Sequence, residues 1–224
     1  MIRRVPIRAI VPVRAWPEGK KRLAPLLAPE ERGALAKIML EDMLDCLGRT
    51  PAVTEIVIVT DDADAALLAS DYRALVLPDA PGGLNASLAA AAAWLAKARP
   101  EAATLIIHAD LPAATPEDIE VLAAADTDVA LARAGDGGTN AMLLRPGVSF
   151  PFAFGADSCA RHLAAAREAG LSAVLVERPG LALDLDRPED VAAYLARAGN
   201  SRTLGLLHKL DIPARLRTKT RADS

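Results

Sequence analysis

Glu55-Ile56-Val57-Ile58-Val59-Thr60-Asp61-Asp62-Ala63 is an apolar strand that runs into two acids and then into a helix. A short run rich in β-branched residues, bounded by turn formers, reads as a buried strand. Asp61-Asp62 marks its end, Ala63 to Ser70 is a short helix, and Ala74 to Leu77 is the next strand. The same alternation recurs in both directions along the chain. Upstream, Arg8 to Val13 is a strand and Glu30 to Leu47 repeats Leu35, Ile38, Met39, Met43, Leu44 and Leu47 at helical spacing. Downstream, Asn85 is a good N-cap for the alanine-rich helix that runs to Ala98, and Thr104 to His108 is a strand. Thr115-Pro116-Glu117-Asp118 supplies an N-cap, an N1 proline and first-turn acids. Val129 to Ala132 and Ala141 to Leu144 are strands around a glycine turn, and Ser158 to Ala169 is a helix closed by Gly170. Ala173 to Val176 is a further strand, and Arg187-Pro188-Glu189-Asp190 opens a last helix to about Ala198. The expected fold class is α/β: a single Rossmann-like domain, doubly wound, with a mostly parallel sheet and helices on both faces. No repeat or linker divides it, so residues 1–199 form one domain and 200–224 a basic C-terminal tail.

Composition narrows the function. Hydrophobic residues make up 52% of the 224, but aromatics only 3%, so the core is built from Ala, Leu, Val and Ile. The net charge of −3 carries no signature of nucleic-acid binding. Residues 201–224 hold six Lys/Arg against two Asp, a tail that could touch phosphates or a partner but is expected as a solvated terminus. Cys46 and Cys159 are far apart and lack metal spacing, which fits a reduced, cytoplasmic protein. No apolar run has the length of a membrane span. Oligomeric state stays open, a homo-oligomer included.

In a doubly wound sheet, ligands bind beyond the carboxyl ends of the strands. Several acids fall there. In Leu181-Ala182-Leu183-Asp184-Leu185-Asp186, a short strand is expected to point Asp184 and Asp186 to one face. Ile106-Ile107-His108-Ala109-Asp110-Leu111-Pro112 places Asp110 after another strand. Three carboxylates at strand ends suit Mg²⁺ held against a nucleotide phosphate, although each can equally be a turn former or cap. The histidines show no zinc spacing.

Four other segments carry chemistry. Arg14, Lys20, Lys21 and Arg22 lie on the loop after the first strand, where they can wrap a triphosphate. That loop is neither G-x-x-x-x-G-K-[ST] nor G-x-G-x-x-G. In Asp79-Ala80-Pro81-Gly82-Gly83-Leu84-Asn85 the glycines allow backbone close to a base or ribose, and Asn85 can reach a purine edge or cap its helix. Gly135-Asp136-Gly137-Gly138-Thr139-Asn140 can offer amides to an anion or serve as a hairpin turn. Phe154-Gly155-Ala156-Asp157-Ser158-Cys159-Ala160-Arg161-His162 puts Ser158 at a helix N-terminus, a phosphate site or a plain cap.

Read together, these segments resemble the 2-phospho-L-lactate guanylyltransferase family, which includes the bacterial phosphoenolpyruvate and 3-phosphoglycerate guanylyltransferases of coenzyme F-420 biosynthesis. The resemblance spans roughly residues 8 to 198. It rests on Val11-Pro12-Val13 with Lys20 and Arg22-Leu23, Gly83-Leu84-Asn85, Ala109-Asp110-Leu111-Pro112, Gly138-Thr139-Asn140-Ala141, Phe154-Gly155 with Ser158 and Arg161-His162, and Leu183-Asp184-Leu185-Asp186 with Pro188-Glu189-Asp190. It implies a nucleotidyltransferase-type fold and transfer of GMP from GTP to the phosphate of a small phospho-acid, with release of pyrophosphate. By matching positions, Asp110, Asp184 and Asp186 would carry Mg²⁺. Val13, Lys20, Arg22, Gly83, Asn85 and Asp110 would bind the nucleotide, with Lys20, Arg22 and Asp110 as the catalytic set. Thr139, Gly155, Ser158 and Arg161 would hold the phospho-acid. Cys159 departs from the larger apolar residue common in relatives.

Three rivals share these residues. Asp184-Leu185-Asp186 is also the D-x-D of nucleotide-sugar transferases, a molybdopterin-directed transferase would need a different first loop, and a non-catalytic module would bind GTP without turnover. No motif separates phosphoenolpyruvate, 2-phospholactate and 3-phosphoglycerate as acceptors. The high alanine content suggests a GC-rich bacterial source, which favours the first and last of these. A reactive product suggests hand-over to the next enzyme of the pathway.

Overall fold

The computed structural model of the chain describes residues 5–14, 20–197 and 199–222. Residues 1–4, residues 15–19 of the basic loop, Ala198 and residues 223–224 lie outside the described residues. Seven strands form one sheet: β1 (Ile7–Pro12), β2 (Val53–Val59), β3 (Leu75–Leu77), β4 (Ala103–Ile107), β5 (Val129–Arg133), β6 (Thr139–Leu144) and β7 (Ala173–Leu175). Their order is β3-β2-β1-β4-β6-β5-β7. All neighbouring pairs are parallel except those of β6, which runs antiparallel to both β4 and β5.

The helices are α1 (Pro29–Gly48), α2 (Ala63–Asp71), α3 (Leu84–Ala98), α4 (Pro116–Ala124), α5 (Ser158–Glu168), the short α6 (Pro179–Ala182), α7 (Pro188–Leu195), α8 (Arg202–Lys209) and α9 (Ile212–Ala222). They cover both faces of the sheet, and strand alternation decides which residue meets which layer. Ala9 and Val11 of β1 join Leu40, Leu44, Ala65 and Ile119 on one face, while Ile10 joins Leu88, Leu95 and Ala166 on the other. The aliphatic core expected from composition is present, with Phe150 and Phe154 as its aromatic contribution to the second face. Among the described residues no helix is long and apolar enough to cross a membrane.

Local chemistry explains several boundaries. α4 starts on a reciprocal capping box: Thr115 Oγ1 accepts from the Asp118 amide, and Asp118 accepts from the Thr115 amide. α5 ends at Gly170, whose φ of 69° suits a residue without Cβ.

Four expectations change. Asn85 is not an N-cap: Gly83 takes that position, and Asn85 lies inside the first turn of α3. Ser158 is the first residue of α5, capped by Asp157 without a side-chain hydrogen bond. Residues 181–186 do not form a strand. Leu181 and Ala182 close α6 by bonding back to the Arg178 carbonyl, and the following extended segment makes one cross-link, from the Leu185 amide to the Asp110 carbonyl. A single bond does not build a ladder.

The expected solvated terminus is instead two helices. Leu207 and Ile212 are fully buried against Leu35, Met39 and Tyr194, each worth about 2 kcal/mol of apolar transfer. Two basic residues of this tail, Arg202 and Arg215, meet acids of α1. Arg215 makes a paired contact with Glu31 at 2.7 and 2.8 Å, and the Thr203 amide donates to Asp42 at 2.9 Å.

Candidate active site

The carboxyl ends of β1 and β4, the amino end of β6 and the segment after α6 enclose a cleft of about 810 Å³. The antiparallel direction of β6 decides its contents. Ile107 pairs with Ala141, so the residues that open β6, Thr139 and Asn140, lie at the same edge as the residues that follow β4. Asn140 faces the acids: its Nδ2 donates to the Leu181 carbonyl at 2.9 Å and to Asp184 Oδ1 at 3.3 Å. Leu185 is buried, while Asp184 and Asp186 on either side of it face the cleft. The alternation expected from sequence therefore survives without the strand.

Lys20 lies among the carboxylates. Its ammonium donates to Asp110 Oδ2 and to Asp186 Oδ1, each at 2.6 Å. Burial would lower the Lys20 pKa, but the charges of Asp110 and Asp186 outweigh it and hold the pKa above its ordinary value. Burial likewise pushes Asp110 up, and Lys20 with His108 pulls it net below the usual carboxylate range. Asp184 moves the other way, raised by burial and by the neighbouring Asp110 charge. Lys20 itself has φ 54°, a left-handed conformation uncommon outside glycine. Arg22 is exposed, with Nη1 3.9 Å from Asp186 Oδ2.

The three acids fit a hard cation. Asp110 Oδ1 is buried without a hydrogen-bond partner, and Asp184 is destabilised as an anion by its like-charged neighbour. Both features are relieved by an oxygen-seeking divalent ion. Among the described residues no group of His, Cys, Asp and Glu is already gathered at metal-ligand spacing.

Another part of the cleft is lined by Thr139, Gly155 and Ser158. The amides that sequence offered to an anion are largely used internally. Gly137 and Gly138 donate to the Ala134 carbonyl and Asp136 Oδ1, as in a simple hairpin turn. The Ser158 and Cys159 amides donate to the Gly155 and Gly137 carbonyls. The hydroxyls of Thr139 and Ser158, 3.1 Å apart, are thus the conspicuous polar groups of this part.

Two expected ligand contacts find other tasks. Asn85 receives the Phe154 amide at 2.8 Å and donates to the Phe154 carbonyl at 3.2 Å, so it ties α3 to the segment before α5 and lines neither cavity of the cleft. Arg161 donates to the backbone carbonyls of Ala153 and Ala156 and does not line the cleft. Gly83 and Val13 do border a second cavity of about 520 Å³, which shares Val13, Arg14 and Leu84 with the first. Sequence reasoning missed Asn140 as the holder of Asp184, Lys20 as the bridge between two acids, and His162.

The comparisons with known proteins fit this geometry. Residues 7–223 match the family described as "Guanylyl transferase CofC like". The chain belongs to that family. It is 40% identical over 208 residues to the 3-phospho-D-glycerate guanylyltransferase of Phenylobacterium zucineum, covering 90% of this chain and 95% of the relative. It is 38% identical over 216 residues to the phosphoenolpyruvate guanylyltransferase of Conexibacter woesei, again covering 90% and 95%. Its fold resembles a putative nucleotide-diphospho-sugar transferase from Desulfovibrio desulfuricans G20, with TM-score 0.79, 21% identity and coverage of 95% and 97%. It also resembles a nucleotidyl transferase from Methanothermobacter thermautotroptrophicus, with TM-score 0.57, 18% identity and coverage of 84% and 95%. A family member of this kind is an enzyme of the nucleotidyltransferase class.

His162 gives the site a pH signature. Burial first, and the Arg161 charge second, lower its pKa from 6.5 to about 4. Above pH 6.5 the ring is neutral folded or unfolded, and the full stability is present. As pH falls from 6.5 towards 4 the unfolded chain takes up the proton first, so stability is lost over that window, by about 3 kcal/mol in all. Urea unfolding at pH 7 and pH 5 is expected to show a smaller difference in His162→Phe than in the wild type. Equal differences would remove His162 as the cause.

Proposed function

We propose that the chain transfers GMP from GTP to the phosphate of a small phospho-acid, phosphoenolpyruvate or 3-phospho-D-glycerate, in coenzyme F-420 biosynthesis. One observation carries the reading: in a chain of a guanylyl transferase family, three carboxylates with a lysine and a pair of buried hydroxyls line one cleft. An acceptor phosphate oxygen attacks the α-phosphorus of GTP, and the bond to the leaving pyrophosphate breaks. That oxygen is already ionised at neutral pH, so no protein base has to take a proton. The problem is to bring two anions together in line.

The second cavity, beside Val13 and Gly83, suits the nucleoside of GTP. Arg14, Lys20, Lys21 and Arg22 border the first cavity and supply positive charge for the triphosphate. Asp110, Asp184 and Asp186 would hold Mg²⁺, which would supply Lewis-acid stabilisation of phosphate charge. Thr139 and Gly155 seat the phospho-acid, with Ser158 behind Thr139, to which its hydroxyl donates. Hand-over of the product to the next enzyme of the pathway belongs to the same reading.

The test is pyrophosphate release from GTP with Mg²⁺ and each of phosphoenolpyruvate, 3-phospho-D-glycerate and 2-phospho-L-lactate, with ATP and CTP as controls. Release is expected with GTP and at least one of the first two acids. GTP binding without release for any acid would make the chain a non-catalytic nucleotide-binding module. Release of a nucleoside diphosphate from a nucleotide sugar would make it a sugar transferase.

A further inference from the structure

Behind the two hydroxyls lies the His162 ring. His162 and Ser158 are fully buried, and Thr139 is nearly so. The Ala153 amide lies 3.0 Å from His162 Nε2. A backbone N–H can only donate, so Nε2 accepts and the neutral ring carries its proton on Nδ1. Nδ1 lies 3.0 Å from Thr139 Oγ1 and therefore donates to it. The Ser158 hydroxyl also donates to Thr139 Oγ1, at 3.1 Å. A hydroxyl oxygen has two lone pairs and one proton. Both lone pairs of Thr139 are taken by these donors. Its proton faces the Cys159 thiol, with which Thr139 makes a side-chain hydrogen bond, and the cleft, where an anionic oxygen is a far stronger acceptor than the thiol. The Phe150 and Phe154 rings pack on the imidazole, at centroid distances of 5.9 and 4.9 Å.

We infer that His162 is a positioning residue, whose backbone-locked Nδ1–H turns the Thr139 hydroxyl into a one-way donor aimed at the anionic group of the acceptor acid. The inference rests on the guanylyltransferase reading above. It gives that reading a specific consequence: the effect of His162 falls on the acid and not on GTP, because among the described residues the ring bonds to Thr139 and Ala153 and packs on Phe150 and Phe154.

Two measurements test it together. Nitrogen NMR of the imidazoles in the nucleotide-free protein is expected to show His162 protonated at Nδ1 and unprotonated at Nε2 near pH 7. An Nε2–H tautomer overturns the inference without reference to any substrate. Steady-state kinetics then compare wild type, His162→Phe and His162→Asn. Phe keeps the packing and loses the donor, while Asn keeps an amide donor near the Nδ1 position. The KM for the acid is expected to rise about tenfold in His162→Phe, the equivalent of one lost hydrogen bond. The KM for GTP should stay within about twofold, and His162→Asn should recover much of the acid KM. A variant that only loosened the fold would move both substrates together and would not be rescued by Asn. Should His162→Phe fold less well, His162→Asn at a temperature where both are folded still separates the outcomes. An unchanged acid KM in His162→Phe, in a wild type that turns over, overturns this inference alone. A wild type that turns over none of the acids overturns the guanylyltransferase reading and this inference with it.

Discussion

Asp110→Asn is expected to lower kcat/KM for pyrophosphate release on the order of 10²-fold or more, comparable to removing one preorganised electrostatic group from an active site. The side chain keeps its volume, so the change is one of charge. Asp110 is the acid the site is built around. It shares Lys20 with Asp186, its charge raises the Asp184 pKa, and its Oδ1 is buried without a partner. Loss of that charge leaves Lys20 paired with Asp186 alone and removes a ligand from any cation held there. Folding should suffer less than chemistry. Lys20 keeps one carboxylate, and Asp184 loses the like-charged neighbour that opposed its ionisation. The check is turnover against MgCl₂ concentration, beside a thermal melt of the same sample. Turnover within threefold of wild type at saturating Mg²⁺ would take Asp110 out of the catalytic set. A melt lowered as much as the activity would make its role structural.

What could be read from the chain divides by the range of the interaction. The strand ends at Asp61 and Asp110 and the capping box at Thr115 and Asp118 are local, and the structure keeps them. Asp184 and Asp186 were legible as a pair, because alternation survives in any extended segment. The absence of a strand there was not legible, since a ladder depends on a neighbour and only the Leu185 amide finds one. Lys20 was read as a phosphate cation, but its partners lie 90 and 166 residues away and follow only from the packed sheet. Asn85 looked like a cap because Asn before an alanine-rich helix commonly is one. A contact to Phe154, 69 residues on, overrides that preference. His162 is a different case, for the signal was present. It stands four residues after Ser158, and residues so spaced share one face of a helix. Two polar residues on the buried face of α5 ask for a common partner, and Thr139 supplies it. The packing of the tail was hidden for a plainer reason. Leu204, Leu206, Leu207, Leu210 and Ile212 recur along this stretch, but the net positive charge of the tail points to a solvated terminus, and only the fold shows α1 placing Leu35 and Met39 beneath Leu207 and Ile212.

Gly180→Ala is expected to be the most damaging single substitution for folding among the described glycines, although Gly180 carries no chemistry. It sits in the short α6, where a Cβ would overlap Asp118 Oδ2 and lie 2.6 Å from the Ala113 carbonyl oxygen. Neither neighbour can step aside at small cost. Ala113 offers backbone, and Asp118 is buried, accepts from the Thr115 amide at 2.9 Å and its hydroxyl at 2.8 Å, and pairs with Arg178 Nε at 2.6 Å. The methyl group must therefore open the contact between α4 and α6 or break a buried capping box. Overpacking of this kind costs about 3 kcal/mol, which for a chain of this size lowers the melting temperature by about 6–12 °C. The damage reaches the cleft through a short path. Leu181, the next residue, gives its carbonyl to Asn140, and Asn140 holds Asp184. Activity measured well below the new melting temperature should then fall as well, chiefly by misplacing Asp184. Asp118→Ala in the same chain removes one of the two clashes while giving up the cap and stranding Arg178. The double variant should lose less stability than the two single changes added together, since both act on one contact. A Gly180→Ala melt within 2 °C of wild type would show that α6 can move away from α4 freely. Asp184 would then owe its place to Asn140 and not to the packing of Gly180.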